Sequence, residues 1–512
     1  MTKPTHKVYT ILFISIVLLA AYLRLHNLDT NPPGFFTDEA AIGYNSYKLL
    51  TTGRDEYGVP FPLFFKSYGD YRLPLPIYLN IPSILIFGPT DYATRITAAF
   101  AGTLTVMFLM LAISKWLGKW AGIGTGLSIA ILPWHIHVSR WASEYVYFPL
   151  FFSISFLLLI LFFKLKRRRY LFSSFFVFGL TMYTYYPAIF TVPLFLLIIT
   201  LLLMISFRRD RRKLYTLIIC CFIYIVTILP ILGSLSSGEL MTRWKSLDAH
   251  KATISIDSVR KFTHFYVSHY DPKFLFVRGD ETIRHAEQDY GEVHMFQGVF
   301  ILFGFIFLIL RKRSVVGFSV IGLFLLYPLG SAITFDRLVT RSIIGVVPIS
   351  ILTGVGIAWF VQSAKIINNR LISITCFGLF CLTVSLSTLA YGHALFAEYP
   401  TYAGTWDGFQ YGYKQAMEYC LKSADQYDEC RITHRFNRSE GLMAFYKISI
   451  PCSKCLSHPN PIVINPKLKQ LFFVRDEDVK EAKELYPKLN FYGVGSIRNP
   501  GGAVELKIGY FR

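Results

Sequence analysis

Two adjacent acids, Asp38 and Glu39, open a segment whose spacing predicts a helix from Asp38 to Leu50, with Thr37 placed to cap it and Pro32-Pro33-Gly34 ending what comes before. Acids in the first turn of a helix suit its dipole. An acid held at a membrane face beside aromatic side chains is equally suited to be a general base, and the residues alone allow both readings. Further along, Lys66 and Arg72 stand among tyrosines and glycines ahead of Pro74. Such cations hold phosphate oxygens, arginine with a two-pronged fork, or simply meet lipid headgroups. Glu144 is a further acid, with Arg140 one helical turn before it, a spacing at which the two can pair. Beyond the apolar Phe274-Leu275-Phe276 come Arg278, Asp280, Arg284 and His285, and later Arg337 and Arg341. Such a gathering of cations suits an anion, whereas Asp280 and Arg284 would pair if the segment were helical.

The elements that position these residues are set by an apolar chain. Of 512 residues, 53% are hydrophobic, 17% aromatic and only 16% charged, with a mean hydropathy of +0.43. Soluble domains carry about 25% charged residues, so this composition excludes an ordinary soluble enzyme and a disordered chain. A bilayer core of about 30 Å asks for about 20 apolar residues per helix. Eleven runs approach that length, near 8–25, 92–113, 120–133, 146–163, 170–183, 187–207, 214–233, 296–310, 315–333, 342–361 and 371–391. Proline disfavours helix in the residue before it, which divides 170–207 at Tyr185-Tyr186-Pro187.

The net charge of +20 would suggest nucleic acid in a soluble protein. Here the cations fall in alternate short connections, Lys115 and Lys119, Lys164 to Arg169, Arg208 to Lys213, and Arg311 to Arg313, while the connections between them hold few. This is the positive-inside pattern of a multi-pass protein of the cell (inner or plasma) membrane with a cytoplasmic N-terminus, and it leaves no place for nucleic acid. The first run lacks a small-residue cleavage site and reads as a retained anchor. Two domains are expected: a transmembrane unit 1–391, with long outer loops 26–91 and 234–295, and an extracytoplasmic α/β unit 392–512. In that tail Gly408–Ser423 and Asp476–Tyr486 read as helices, and Ile462–Ile464, Leu471–Val474 and Ala503–Tyr510 as strands.

Four cysteines lie in apolar runs as packing residues. The other four, Cys420, Cys430, Cys452 and Cys455, lie in the tail, where an oxidising compartment favours disulfides. Cys452-Ser453-Lys454-Cys455 is also half of a zinc pattern that His434 or His458 would complete. Nucleotide-binding fingerprints are missing from the sequence.

In order and spacing, Asp38-Glu39-Ala40, Gly43-Tyr44, Thr52-Gly53, Tyr71-Arg72-Leu73-Pro74-Leu75, Phe87-Gly88 and Arg95 resemble the bacterial dolichyl-phosphate-mannose-protein mannosyltransferase-like family, which includes the lipid A aminoarabinose transferases. Pro133-Trp134-His135-Ile136-His137, Ser139-Arg140, Glu144, Gly279-Asp280 and Arg284-His285 continue the resemblance. It implies a C-type glycosyltransferase: a polytopic α-helical membrane protein of about 11 spans with a small C-terminal extracytoplasmic α/β domain. It further implies transfer of one sugar from a polyprenyl-phosphate carrier to a glycan, lipid or protein acceptor at the outer membrane face. By the same resemblance Asp38 is the general base, Glu39 its neighbour that holds the loop together, and Glu144 the second acid. The donor phosphate falls to Arg72, Arg140, Arg284, His285 and Arg341. Relatives often place a lysine directly before the proline, whereas Arg72 stands two residues before Pro74, which keeps Lys66 in competition. A lipid-phosphate sugar is already activated, so no cofactor is required, and a divalent ion on the loop acids stays open. The competing classes are a secondary transporter, which would show paired half-sequences and ionisable residues at mid-span, and a non-catalytic factor in polysaccharide assembly.

Overall fold

The computed structural model describes residues 6–67, 69–245, 255–364 and 370–512. From the N-terminus, α1 (His6–Leu25) leads into the first long loop, which folds as α2 (Thr37–Thr52), the hairpin β1 (Phe65–Ser67) and β2 (Asp70–Arg72), and α3 (Leu75–Phe87). There follow α4 (Asp91–Trp116), α5 (Lys119–Ala130), α6 (Pro133–Val138), α7 (Tyr147–Leu165), α8 (Arg168–Thr181), α9 (Tyr186–Phe207) and α10 (Arg211–Ser236). The second long loop carries α11 (Met241–Lys245) and α12 (Ile256–Ser268); then come α13 (Met295–Leu310), α14 (Val315–Leu326), α15 (Leu329–Ala332), α16 (Val346–Ala364) and α17 (Arg370–His393).

A helix forms in each of the eleven apolar runs, but eight stretches are long and apolar enough to cross a membrane. α5 and α8 have only 12 and 14 residues, about 18 and 21 Å at 1.5 Å per residue, and α13 is a shorter apolar helix of 16. The break before Pro187 falls where expected, with Tyr185 extended at φ −155°. Small residues let helices approach closely: a Cβ on Gly304 would lie 2.0 Å from the carbonyl oxygen of Leu352, joining α13 to α16, and one on Gly354 would strike Thr125 of α5. The outward faces stay apolar. Leu371 and Leu389 of α17 are 73% and 70% exposed, a surface that only lipid would cover.

The tail holds α18 (Tyr399–Ala403), α19 (Tyr413–Lys422), β3 (Glu429–Ile432), α20 (Ser439–Ser449), β4 (Cys455–Ser457), β5 (Gln470–Val474), α21 (Asp476–Leu485), β6 (Phe491–Arg498) and β7 (Val504–Phe511). Its sheet runs β4-β3-β5-β7-β6, with β3 parallel to both neighbours and β7 antiparallel to both of its own. Both expected helices are present, shortened at their ends. Ile462–Ile464 is not a strand; Ile462 and Ile464 are buried with Phe472, Val474 and Ala482, so their alternation records packing of an irregular segment.

The two parts share a core. Phe35 and Ala40, from the first loop, are buried with Met417, Phe445, Leu471 and Leu506 of the tail, and Phe35 stacks on Phe445 at 5.1 Å. Thr37 does not cap α2. Its hydroxyl instead donates to the carbonyl of Asn437 in the tail, and the carboxylate of Glu39 accepts the Phe36 N–H at 3.0 Å.

Candidate active site

Asp38, Arg72 and Glu144 converge from three separate segments. The β1–β2 register pairs Phe65 with Arg72, and the burial of Phe65 and Ser67 turns the arginine to the inner face of the hairpin while Lys66 faces outward. The guanidinium of Arg72 then donates through Nη2 to Asp38 Oδ1 at 2.5 Å, through Nε to Ser67 Oγ at 3.0 Å, and lies with Nη1 3.6 Å from Glu144 Oε1. Arg72 and Glu144 are buried, and the Asp38 side chain is 33% exposed. Asp38 is thus the member of the cluster that an incoming molecule can reach. Lys66 stands apart, its Nζ 5.4 Å from the centre of the Tyr57 ring.

Glu39 points the other way, into a fully buried knot. Both its oxygens accept from Arg95, at 2.8 and 2.9 Å, and one also accepts the Ala142 N–H. Arg95 further donates to the carbonyls of Leu28, Pro32 and Gly34. Arg140 does similar work, donating to the carbonyls of Leu23, His26 and Asn31. It turns away from Glu144 because residues 139–146 are not helical, so the i,i+4 geometry never forms. The Glu39, Arg95 and Arg140 side chains together fasten the end of α1 and the entry to α2, which fixes where Asp38 points.

Residues 279–294 form an irregular loop, so the pairing of Asp280 with Arg284 that a helix would allow does not form. Asp280 accepts the N–H groups of Thr282 and Val339 and lies 3.5 Å from His285 Nδ1. Burial opposes its charge, but His285 and those amides hold its carboxyl below the usual range. His285 reaches Tyr145, beside Glu144, ring to ring at 6.5 Å. Arg284 stacks over Phe36, two residues before Asp38, at 4.0 Å, and donates to the carbonyls of Asp407 and Gly408 in the tail.

Behind this loop lie two groups that the sequence did not single out as site residues. His137 Nε2 is 3.1 Å from the carbonyl of Arg284, and its Nδ1 is 4.0 Å from Glu287. Burial lowers His137 to about 3 and raises Glu287 to about 8, the latter against a hydrogen bond from the Tyr402 hydroxyl. His137 was visible as part of the Pro-Trp-His-Ile-His run, but nothing in the sequence marks Glu287.

Arg341 lines a largely apolar pocket among α9, α10 and α15, with Tyr185, Tyr186, Leu235 and Ile333. It donates to Thr334 Oγ1 at 2.6 Å and lies 3.6 Å from Asp336. Tyr186 connects this pocket to the acid cluster, since its hydroxyl donates to the carbonyl of Tyr71, next to Arg72, at 2.6 Å. In the tail, Cys420 pairs with Cys430 and Cys452 with Cys455. His434 and His458 meet each other at 3.3 Å and gather with Asp478, separately from the cysteines, so the zinc alternative for the CxxC pair is replaced by a disulfide.

Part of the sequence and the overall fold have counterparts among known proteins. A sequence profile described as dolichyl-phosphate-mannose-protein mannosyltransferase matches residues 73–233. The solved structure of ArnT from Cupriavidus metallidurans bound to undecaprenyl phosphate is similar at a TM-score of 0.58 and 12% identity, covering 99% of this chain and 98% of that one. The archaeal oligosaccharyltransferase AglB from Archaeoglobus fulgidus, in complex with an inhibitory peptide and a dolichol-phosphate, is similar at 0.52 and 12%, covering 95% of this chain and 69% of that one. The chain has the fold of these C-type glycosyltransferases. Its sequence matches no curated protein. The profile begins at Leu73, so Asp38, Glu39 and Arg72 lie outside the matched residues and rest on geometry and motif.

Proposed function

We propose that this glycosyltransferase moves a single sugar from a polyprenyl-phosphate donor to an acceptor at the outer face of the membrane, with Asp38 as general base. The observation that carries this reading is the Asp38–Arg72–Glu144 cluster, in which the one partly exposed carboxylate is held by a buried guanidinium that a second, buried acid steadies. Asp38 takes the proton of the acceptor hydroxyl. The freed oxygen attacks the anomeric carbon, and the bond to the donor phosphate breaks with its electron pair leaving on the phosphate, so the configuration inverts. The polyprenyl-phosphate class is supported by the lipid phosphates held in the similar ArnT and AglB structures.

The donor lipid enters sideways into the pocket of Tyr185, Tyr186 and Arg341, whose guanidinium meets the phosphate. Arg72 adds positive potential where the leaving charge grows, and Arg284 and His285 close the opposite side. Arg140, with its donors on backbone carbonyls, and Glu39, inside its knot with Arg95, act as positioning residues. The N-terminus is cytoplasmic, and units 1–391 and 392–512 meet over the acceptor site outside the cell membrane. The acceptor is a glycan, lipid or protein hydroxyl.

The test uses purified protein in lipid, radiolabelled polyprenyl-phosphate monosaccharides, and wild type beside Asp38→Asn. Release of sugar from one donor by the wild type, lost in Asp38→Asn, is expected. Equal turnover by the variant would remove the base assignment. Failure to bind any donor would favour the secondary transporter or the non-catalytic assembly factor instead.

A further inference from the structure

At the other end of the helices is a second cavity, of about 510 Å³, that the transfer reaction does not use. α1 has 20 residues and is therefore about 30 Å long. The loop that leads to Asp38 leaves its last turn, whereas this cavity opens beside its first residues, His6 and Tyr9. The ends of α4, α5 and α7 complete it with Lys115, Lys119, Lys164, Ser114 and Trp120. None of its ten lining residues is an Asp or Glu. Among the described residues, the ion pairs made by lysines are elsewhere, at Lys213, Lys261, Lys414 and Lys507.

Three ammonium groups around one cavity without a counter-charge repel one another, and an anion between them removes that cost. Other groups there fit the same occupant. Gly118, just before α5, offers no side chain to cap its first N–H groups, so the helix dipole adds to the positive potential. The walls are held in place by the Tyr9 hydroxyl, which donates to Ser114 at 2.9 Å, and by Lys119, 5.1 Å from the centre of the Tyr9 ring. Leu111 and Leu117 give the cavity an apolar side. α1, α4 and α7 are all long and apolar enough to span a membrane, so their ends lie at its surface.

We propose that this basin binds a phosphate-bearing anion, the headgroup phosphate of an anionic membrane lipid, through Lys115, Lys119 and Lys164. The site is separate from the donor pocket, and its occupancy can be read without any transfer assay.

The full-length protein in phosphatidylcholine nanodiscs is titrated with phosphatidylglycerol and, in parallel, with inorganic phosphate, following the melting temperature. The variants are Lys115→Gln/Lys119→Gln/Lys164→Gln and a control with the same charge loss on another basic connection, Arg208→Gln/Arg209→Gln/Arg211→Gln. Each lysine near a lipid surface contributes roughly fivefold, so the triple variant is expected to bind phosphatidylglycerol on the order of a hundredfold more weakly while the control keeps wild-type affinity. If the triple variant does not melt like wild type in phosphatidylcholine alone, Lys119→Gln is read in the same way for a loss of roughly fivefold. Stabilisation by inorganic phosphate as great as by the lipid, dependent on the same lysines, would overturn the lipid and leave a free phosphate. Unchanged lipid binding, or equal loss in the control, would overturn the site.

Discussion

At the scale of residues, the informative contrast is between adjacent acids. Asp38 and Glu39 share a helical turn, yet one is partly open to solvent beside Arg72 and the other is enclosed by Arg95. Sequence shows both carboxylates and cannot show which guanidinium each will meet, because Arg72 and Arg95 arrive from elsewhere in the fold. Glu287 extends the point, since its charge state follows only from burial. Its carboxyl titrates near 8 in the folded chain instead of near 4.5. Between those values the folded state holds a proton that the unfolded state has lost, so Glu287 makes stability fall as pH rises from about 5 to about 8. His137, lowered to about 3 from 6.5, works in the opposite direction, removing stability as pH falls below about 6.5. Glu287→Gln should therefore gain on wild type in melting temperature across pH 5 to 8 and keep a constant offset above it. Parallel profiles for the two proteins would show that Glu287 is charged in the folded state.

At the scale of elements, α2 is aimed by what touches its flank. A Cβ on Gly43 would come within 2.6 Å of the Phe445 ring and 2.7 Å of Thr94 Oγ1, so this glycine lets α2 sit between α4 and α20. Gly43→Val should cost about 1–3 kcal/mol through overpacking and reduce transfer more than donor binding, because it displaces the helix that presents Asp38. Equal loss of both would indicate general unfolding. Gly43 belonged to the motif that carried the family resemblance, but its reason is a contact with a tail helix that no local pattern foretold. Long apolar runs were legible because a span must satisfy its backbone internally and show lipid a uniform face. Short elements were not. β3 and β4 have 4 and 3 residues, too few to repeat a period, and Ile462–Ile464 imitated one. The inward turn of Arg72 depends on hairpin register, which is a pairing property. The two i,i+4 pairings that the spacing allowed do not form for the converse reason, since the spacing carries meaning only where the chain is helical.

At the scale of the whole molecule, the C-terminal unit completes the packing of α2, the helix that carries the proposed base. Phe35 and Ala40 finish its core, Thr37 donates to Asn437, Arg284 binds the carbonyls of Asp407 and Gly408, and Asn31 reaches the carbonyl of Leu395 at 2.8 Å. The division into 1–391 and 392–512 therefore cuts through a shared core. An accessory domain that only gathers acceptor would behave differently from a unit that holds the base in place, and Phe445 distinguishes the two. Its ring is fully buried, stacks on Phe35 and meets α2 at Gly43, yet it lies in α20, remote in sequence from the acids. Phe445→Ala should cost about 3–5 kcal/mol, lowering the melting temperature of the whole chain in one transition. Below that transition the folded variant should turn over donor more slowly even where acceptor is saturating, because the cavity lets α2 shift. If Phe445→Ala raised only the acceptor KM and left the saturated rate and the melting of the spans unchanged, the tail would be an acceptor-binding module docked on a self-sufficient membrane unit. The contacts of Phe35, Thr37 and Arg284 predict the single transition and the slower turnover.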